Sequence, residues 1–212
     1  MITHHADDAT LLSFAAGSLP EALAAVVASH VAMCPRCRKE LAVMDRLGGA
    51  MLHALPGTPL SISASDPERS GVDTAQGGPH VQAASASTAP LARLLRGSLE
   101  DIRWRRLGPG VWHKPLELSK AARGDLRLIR VAPGKAMPDH GHGGSELTLI
   151  LSGSYTDEIG RFDVGDLADL DDQIEHMPVA DRDTGCICLI ASDEKARFKG
   201  LIARMVQPFI GL

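Results

Sequence analysis

Residues 134–153 read GKAMPDHGHGGSELTLILSG, and the spacing of the polar side chains in this stretch decides the fold of the second half of the chain. His140 and His142 are two residues apart, and because side chains alternate along a strand, both imidazoles would lie on the same face. Glu146 opens the apolar run that follows. If its carboxylate points the same way, three metal ligands face one cavity.

A fourth ligand would have to come from another strand, and His176, which follows Gly165-Asp166, is the candidate. Three imidazoles and one carboxylate suit zinc, iron, manganese, nickel or copper, and geometry selects among these metals. The pattern therefore predicts a divalent transition-metal site made by His140, His142, Glu146 and His176. The alternative is a β structure that keeps these residues without a tightly held ion.

Short apolar segments separated by Gly, Pro and Asp turns are typical of strands, and they occur at residues 125–131, 146–152 and 186–191. Many short strands without intervening helices favour a sandwich or barrel. The motif G-x5-H-x-H-x3-E-x6-G resembles the first motif of the cupin superfamily in full, whereas the second is matched only by Gly165 and His176. The resemblance implies an all-β jelly-roll barrel over residues 91–212 and indicates little about its chemistry.

Cys186 and Cys188 alternate along the last of these strands, so their thiols share a face and Ile187 points the other way. Cysteine commonly serves as a small buried hydrophobic residue. The other interpretation is a redox or metal-linked role for the pair, if they face the cavity.

The first 55 residues have a helical pattern. Asp7 or Asp8 would cap the first helix and Gly17 would end it. Residues 18–21, Ser-Leu-Pro-Glu, predict a capping box at the start of the second helix. A third helix would begin at Pro35 and stop at the next glycine pair.

Residues 30–37 read HVAMCPRC and place three metal-ligating side chains at the junction of the second and third helices. His30 ends one helix, and Cys34 and Cys37 lie one turn apart at the start of the next. A closed structural zinc site takes four ligands, and His4 and His5 near the start of the chain are both candidates for the fourth. The alternative is a redox-active CxxC pair with an incidental histidine.

The combination of His5, the run AAGSL at residues 15–19 and the His30, Cys34 and Cys37 spacing resembles the zinc-binding anti-sigma domain over residues 1–55. The resemblance favours His5 as the fourth zinc ligand. Proteins of that family hold group IV (extracytoplasmic-function, ECF) sigma factors in an inactive complex, so an ECF sigma factor is the implied partner.

Residues 56–90 contain 24 Pro, Gly, Ser, Thr or Ala residues among 35 and show no periodicity, which predicts a flexible linker. The net charge of −4 and the 3% content of aromatic residues argue against direct nucleic-acid binding. We find neither a membrane-span pattern nor a signal-peptide pattern, and the close cysteine pairs suit a reducing compartment. We therefore expect a cytoplasmic protein with protein partners.

The order of these parts resembles the ChrR family of anti-sigma factors over the whole chain. The predicted fold is an α+β two-domain protein, with a small helical zinc-binding bundle at 1–55, the linker at 56–90 and the cupin at 91–212. The resemblance implies a non-enzymatic regulator whose helical domain inhibits the sigma factor. The resemblance also implies that the cupin domain, holding zinc or another divalent transition metal, is needed for release of the sigma factor under singlet-oxygen-type oxidative stress.

Three further possibilities remain open at this stage. The chain could form a homodimer through an edge of the cupin barrel. It could instead be a metal-dependent cupin enzyme, such as a dioxygenase, with the zinc module appended. A zinc-finger DNA binder is disfavoured, because the first 55 residues carry four basic and five acidic side chains.

Overall fold

The computed structural model describes residues 1–57, 89–95, 97–138, 140–141, 144–171, 174–193 and 197–198. Three helices open the chain: α1 Asp8–Ala15, α2 Glu21–Met33 and α3 Pro35–Ala54. A fourth helix, α4 Ala89–Leu95, and a 3-10 turn at Leu99–Asp101 precede the strands. The expectation of an all-β second half is therefore wrong at its start. Leu91 of α4 is buried in the same core as α2, which explains why this short segment is helical.

Eleven strands follow within the described residues: β1 Arg105–Gly108, β2 Val111–Pro115, β3 Asp125–Val131, β4 His140–Gly141, β5 Glu146–Thr156, β6 Arg161–Asp163, β7 Leu167–Leu170, β8 Glu175–His176, β9 Val179–Ala180, β10 Cys186–Ser192 and β11 Arg197–Phe198. The larger sheet has the order β1-β2-β3-β10-β5-β6, with β7 and β9 also paired to β5. The smaller sheet has the order β11-β4-β8. We call these strands the β half and α1–α3 the helical half.

The three central strands, β3, β10 and β5, bury side chains on both faces, so apolar residues occur on both faces of each strand. One face packs against the helical half through Leu126, Leu128, Leu147, Leu149 and Leu189. The opposite face forms a second core, which we call the interior, through Ile129, Val131, Ile150, Cys186 and Cys188. The helices thus lie on the outside of the sheet, and the interior belongs to the β half.

The predicted beginning and end of α1 are confirmed. The Asp7 carboxylate accepts a hydrogen bond from the backbone N–H of Thr10 at 2.6 Å, as an N-cap should. Gly17 has φ +67°, a left-handed conformation that L side chains rarely adopt.

The capping box predicted at residues 18–21 is wrong. Pro20 is the N-cap of α2 and makes no side-chain cap hydrogen bond. The Ser18 hydroxyl donates instead to the carbonyl oxygen of Ser13 at 3.2 Å. The Glu21 carboxylate accepts from the backbone N–H of Ser119 at 2.8 Å, so it joins the two halves of the molecule.

The third helix continues beyond its predicted end, through Gly48 and Gly49 to Ala54. A glycine inside a helix costs roughly 1 kcal/mol relative to alanine, which good helix formers such as the Ala50-Met51-Leu52 segment can offset. Both glycines have ordinary negative φ, so neither takes the left-handed conformation of a helix stop.

Candidate metal centre and docking surface

The side chains of His5, His30, Cys34 and Cys37 meet at one point, with four potential ligand atoms all within 4.8 Å of one another. His30 Nε2 lies 3.2 Å from Cys37 Sγ. His5 Nδ1 lies 3.3 Å from Cys34 Sγ and 3.6 Å from Cys37 Sγ. In a tetrahedral zinc site the ligand atoms are about 3.3–3.8 Å apart, as follows from Zn–N and Zn–S bond lengths of about 2.0 and 2.3 Å. The donor set and its spacing fit a metal ion.

The structure places His5, and not His4, in this cluster. His4 turns away and packs its ring on Phe162, with 4.1 Å between ring centroids. Its Nδ1 lies 3.4 Å from a carboxylate oxygen of Asp166. The choice that the sequence left open therefore follows from where the N-terminal segment meets the β half.

The start of α3 positions both thiols. Cys34 is the N-cap residue, and its Sγ accepts the backbone N–H of Cys37 at 3.5 Å. Pro35 occupies the first turn, where its fixed φ suits a helix and its missing N–H is not needed. The helix dipole at this end favours negative charge on the two sulfur atoms.

Without a cation, the buried Cys37 thiol favours its protonated form and the buried His30 imidazole its neutral form. Burial, together with the neighbouring Cys34, raises the pKa of Cys37 to about 12. Burial also lowers the pKa of His30 to about 4, although its hydrogen bond with the Gly165 carbonyl opposes this. His30 is therefore neutral near pH 7, as a ligand must be. A bound dication would make thiolates favourable here, since metal coordination deprotonates a thiol.

The second predicted site is only partly described. Glu146 and His176 are both buried, with 7% and 3% of their surface exposed. The backbone of His140 in β4 pairs directly with that of His176 in β8. His142 lies outside the described residues, so the structure does not test the predicted set of four ligands.

Sequence reasoning missed Asp157, whose carboxylate is fully buried against His176. Its Oδ2 lies 2.8 Å from His176 Nδ1. Burial raises the pKa of Asp157, but the hydrogen bonds from His176 and from the backbone N–H groups of Ile159 and Gly160 outweigh this and lower it. In the sequence, an aspartate three residues before a glycine indicates only a turn.

Cys186 and Cys188 share the interior face, as predicted, and are 4% and 5% exposed. The hydrogen bond with Cys186, burial and the charge of Glu146 raise the pKa of Cys188 well above its ordinary value. A buried, protonated thiol is a weak nucleophile. The geometry therefore supports packing as the role of this pair more than redox chemistry.

One side of α3 and its C-cap carry exposed apolar side chains. Val43, Leu47 and Met51 of α3 and Leu55 at the C-cap recur every four residues and are 55%, 60%, 64% and 65% exposed. We call these four residues the α3 stripe. Contiguous exposed apolar surface on a folded protein commonly marks an interaction site. In the described part of the chain, no helix has the length and apolar character needed to cross a membrane.

Comparison with known proteins agrees with this geometry. The family model described as the ChrR cupin-like domain matches residues 94–196. The anti-sigma-E factor ChrR of Cereibacter sphaeroides is 40% identical over 210 residues, which cover 98% of each chain. A crystal structure of Rhodobacter sphaeroides SigE in complex with the anti-sigma factor ChrR matches with a TM-score of 0.77 and 39% identity, over 91% of this chain and 100% of that one.

More distant structures, such as KdgF from Halomonas sp., match at 16% identity with a TM-score of 0.40, over 46% of this chain and 92% of that chain. The helices and the cupin-like sheet form one molecule in which the helical half carries a His2Cys2 cluster that could hold a metal ion. The chain belongs to the ChrR family of anti-sigma factors.

Proposed function

We propose that this protein is an anti-sigma factor that binds a group IV (ECF) sigma factor through its helical half and so keeps it inactive. The observation that carries the proposal is the α3 stripe, whose exposed apolar residues lie on the helix that begins at the metal cluster and at its C-cap. The family relation supports it, because the related ChrR has been crystallised with SigE.

The metal of the His2Cys2 cluster is, in this proposal, zinc. Two imidazoles and two thiolates at this spacing are a common structural zinc set, with all four positions taken by the protein. Zinc binding would join the N-terminal segment, the end of α2 and the start of α3. It would thereby hold α3 in the orientation that exposes its stripe.

The β half would hold a second divalent transition metal through His140, His142, Glu146 and His176, and would be needed for release of the sigma factor under singlet-oxygen-type stress. The buried positions of Glu146 and His176 support the ligand set. The stress signal is carried over from the resemblance to the ChrR family.

The family relation favours a regulator without catalytic activity. We propose that the chain catalyses no reaction and acts in the cytoplasm, where its cysteines stay reduced. Incubation of the metal-loaded protein with dicarbonyl and thiol substrates tests this part. If the wild type converts one of these substrates and a His176→Ala variant does not, the protein is a cupin enzyme and this part of the proposal is overturned.

Sigma binding is tested by measuring the affinity of the full chain for individually purified ECF sigma factors from the same organism. Leu47→Glu places a charge in the α3 stripe and should weaken binding by about 30-fold or more, which is typical of a residue central to an interface. The matched control is Ile159→Glu, because Ile159 is also exposed, at 48%, but lies in the β half. Equal affinity of both variants and the wild type would overturn the placement of the interface.

A further inference from the structure

We propose that the turn between β6 and β7, residues 164–166, is part of the metal site of the helical half, with Gly165 and Asp166 as its outer shell. This inference rests on the proposal that zinc binds the His2Cys2 cluster. It makes the β half a determinant of zinc affinity.

The first link is the imidazole of His30, which is fully buried and faces both halves of the molecule. Its Nδ1 lies 2.9 Å from the carbonyl oxygen of Gly165. A carbonyl can only accept, so Nδ1 carries the proton and donates it. That hydrogen bond leaves the lone pair on Nε2, which faces Cys37 at 3.2 Å, and so fixes the tautomer that binds metal.

The second link is Asp166, whose side chain is 1% exposed. Its Oδ1 accepts hydrogen bonds from the backbone N–H groups of Thr3 at 2.6 Å and His4 at 3.0 Å. The carbonyl oxygen of His4 in turn accepts from the backbone N–H of Leu167 at 3.3 Å. These hydrogen bonds fix the segment that carries His5 on the β half.

Fixing this segment has an energetic consequence for the metal. Ordering the backbone of one residue costs roughly 1–2 kcal/mol of conformational entropy. Without the contacts to Asp166, metal binding itself would have to order the residues before His5. The apparent zinc affinity would fall accordingly.

The third link is close packing around Gly165, which has φ +91°. A Cβ atom at this position would lie 2.7 Å from Ile2 Cδ1 and 3.5 Å from Met33 Cε. Ile2 belongs to the N-terminal segment and Met33 ends α2. The absence of a side chain at Gly165 thus lets the two segments that supply His5 and His30 approach the turn.

The turn is also tied to the strand that carries Glu146. Ile150 of β5 accepts a hydrogen bond from the backbone N–H of Gly165 at 2.9 Å and donates one to the carbonyl oxygen of Asp166 at 3.1 Å. Any shift of β5 that moves the turn would lower zinc affinity in the helical half. By reciprocity, zinc binding would stabilise this position of the turn by the same free energy.

The test compares Asp166→Ala with Asp163→Ala in the full chain, by zinc competition with a chromogenic chelator. The Asp163 side chain is a suitable control, because it pairs with Arg161 at the surface and is 55% exposed. Loss of an outer-shell partner should lower zinc affinity by about 10–100-fold in Asp166→Ala, with little change in Asp163→Ala. Equal affinities of the two variants would overturn the proposal.

A second pair of variants leaves the β half untouched, in case Asp166→Ala fails to fold. Thr3→Pro removes the backbone N–H and the hydroxyl that donate to Asp166, whereas Thr3→Ser keeps both donors. Only Thr3→Pro should weaken zinc binding. Co²⁺ absorption from cysteine ligation, with Cys34→Ala as the blank, gives an independent readout. If the wild type binds metal no better than Cys34→Ala, the zinc site itself is refuted. If the wild type binds zinc tightly and neither Thr3→Pro nor Asp166→Ala weakens that binding, only the outer shell is refuted.

Discussion

Asp157 and His176 form a buried carboxylate–imidazole pair, with Oδ2 of the aspartate 2.8 Å from Nδ1 of the histidine. Such a pair orients the ring and sets which nitrogen carries the proton, a common arrangement around metal-bound histidines. It places Nε2 as the nitrogen that would ligate a metal in the β half. Asp157 would therefore support the proposed second metal site by orienting His176, without being one of its four ligands.

We expect Asp157→Asn to lower the metal affinity of the β half by about 10–100-fold, because the amide is a weaker and uncharged partner for the imidazole. Metal titration of the full chain, followed by elemental analysis, measures this. The control is Glu158→Gln, because the neighbouring Glu158 side chain is exposed. Its carboxylate accepts a hydrogen bond from the backbone N–H of Met177. Unchanged affinity in Asp157→Asn would show that the pair is only structural.

Loss of the His2Cys2 cluster should abolish sigma binding and reduce the helical content. Cys37→Ala removes a fully buried ligand, and structural zinc contributes roughly 10–16 kcal/mol of apparent binding energy in small metal-folded peptides. Far-UV circular dichroism and a sigma pull-down measure the two effects. Cys186→Ala, a buried cysteine of the β half, should keep both zinc and sigma binding; a loss equal to that in Cys37→Ala would contradict the separation of the sites.

The contact between the helical half and the sheet should contribute strongly to stability. Leu189 lies in that shared core and is 0% exposed. Leu189→Ala should lower the free energy of unfolding by about 2–5 kcal/mol through lost burial and a residual cavity. Urea denaturation measures it, and Leu52→Ala is the control because Leu52 is 71% exposed. A similar midpoint for both variants would mean that the two halves pack loosely.

Asp181 should make the protein less stable in acid. Backbone N–H groups of Thr184 and Asp183, with the Thr184 hydroxyl, lower the pKa of Asp181 from 3.8 to about 2. A folded-state pKa below the unfolded value stabilises the fold above about pH 4, and that contribution is lost as pH falls towards 2. Asp181→Asn keeps the accepting Oδ1 but not the charge, so its stability should change less between pH 4 and 2. Thermal unfolding measured between pH 4 and 2 checks this prediction. A pH dependence of the unfolding temperature in Asp181→Asn equal to that of the wild type would refute it.

Local patterns in the sequence predicted most of the elements. Strand β3 was predicted at its observed bounds, because Leu126, Leu128, Ile129 and Val131 form a short, mostly apolar segment bounded by turn residues. The α1 cap at Asp7 followed from the preference of aspartate for that position. The four residues of the helical cluster were predicted from spacing together with the family resemblance, since three of them lie within eight residues of one another.

The contacts that join the two halves could not be predicted in the same way. His30 and Gly165 are 135 positions apart, and Thr3 and Asp166 are 163 apart. No local periodicity connects such residues, and their pairing depends on how the helices dock on the sheet. Helix α4 was missed for the same reason: its Leu91 is buried in the core that includes α2, and no local pattern in the sequence indicates that contact.

The α3 stripe also has a consequence for how a cell must produce this protein. Val43, Leu47, Met51 and Leu55 stay in water whenever no partner covers them, and exposed apolar patches promote aggregation. Molecules of this protein made in excess of their target would associate with one another through this surface. Synthesis of this protein and its target in nearly equal amounts would keep that surplus small.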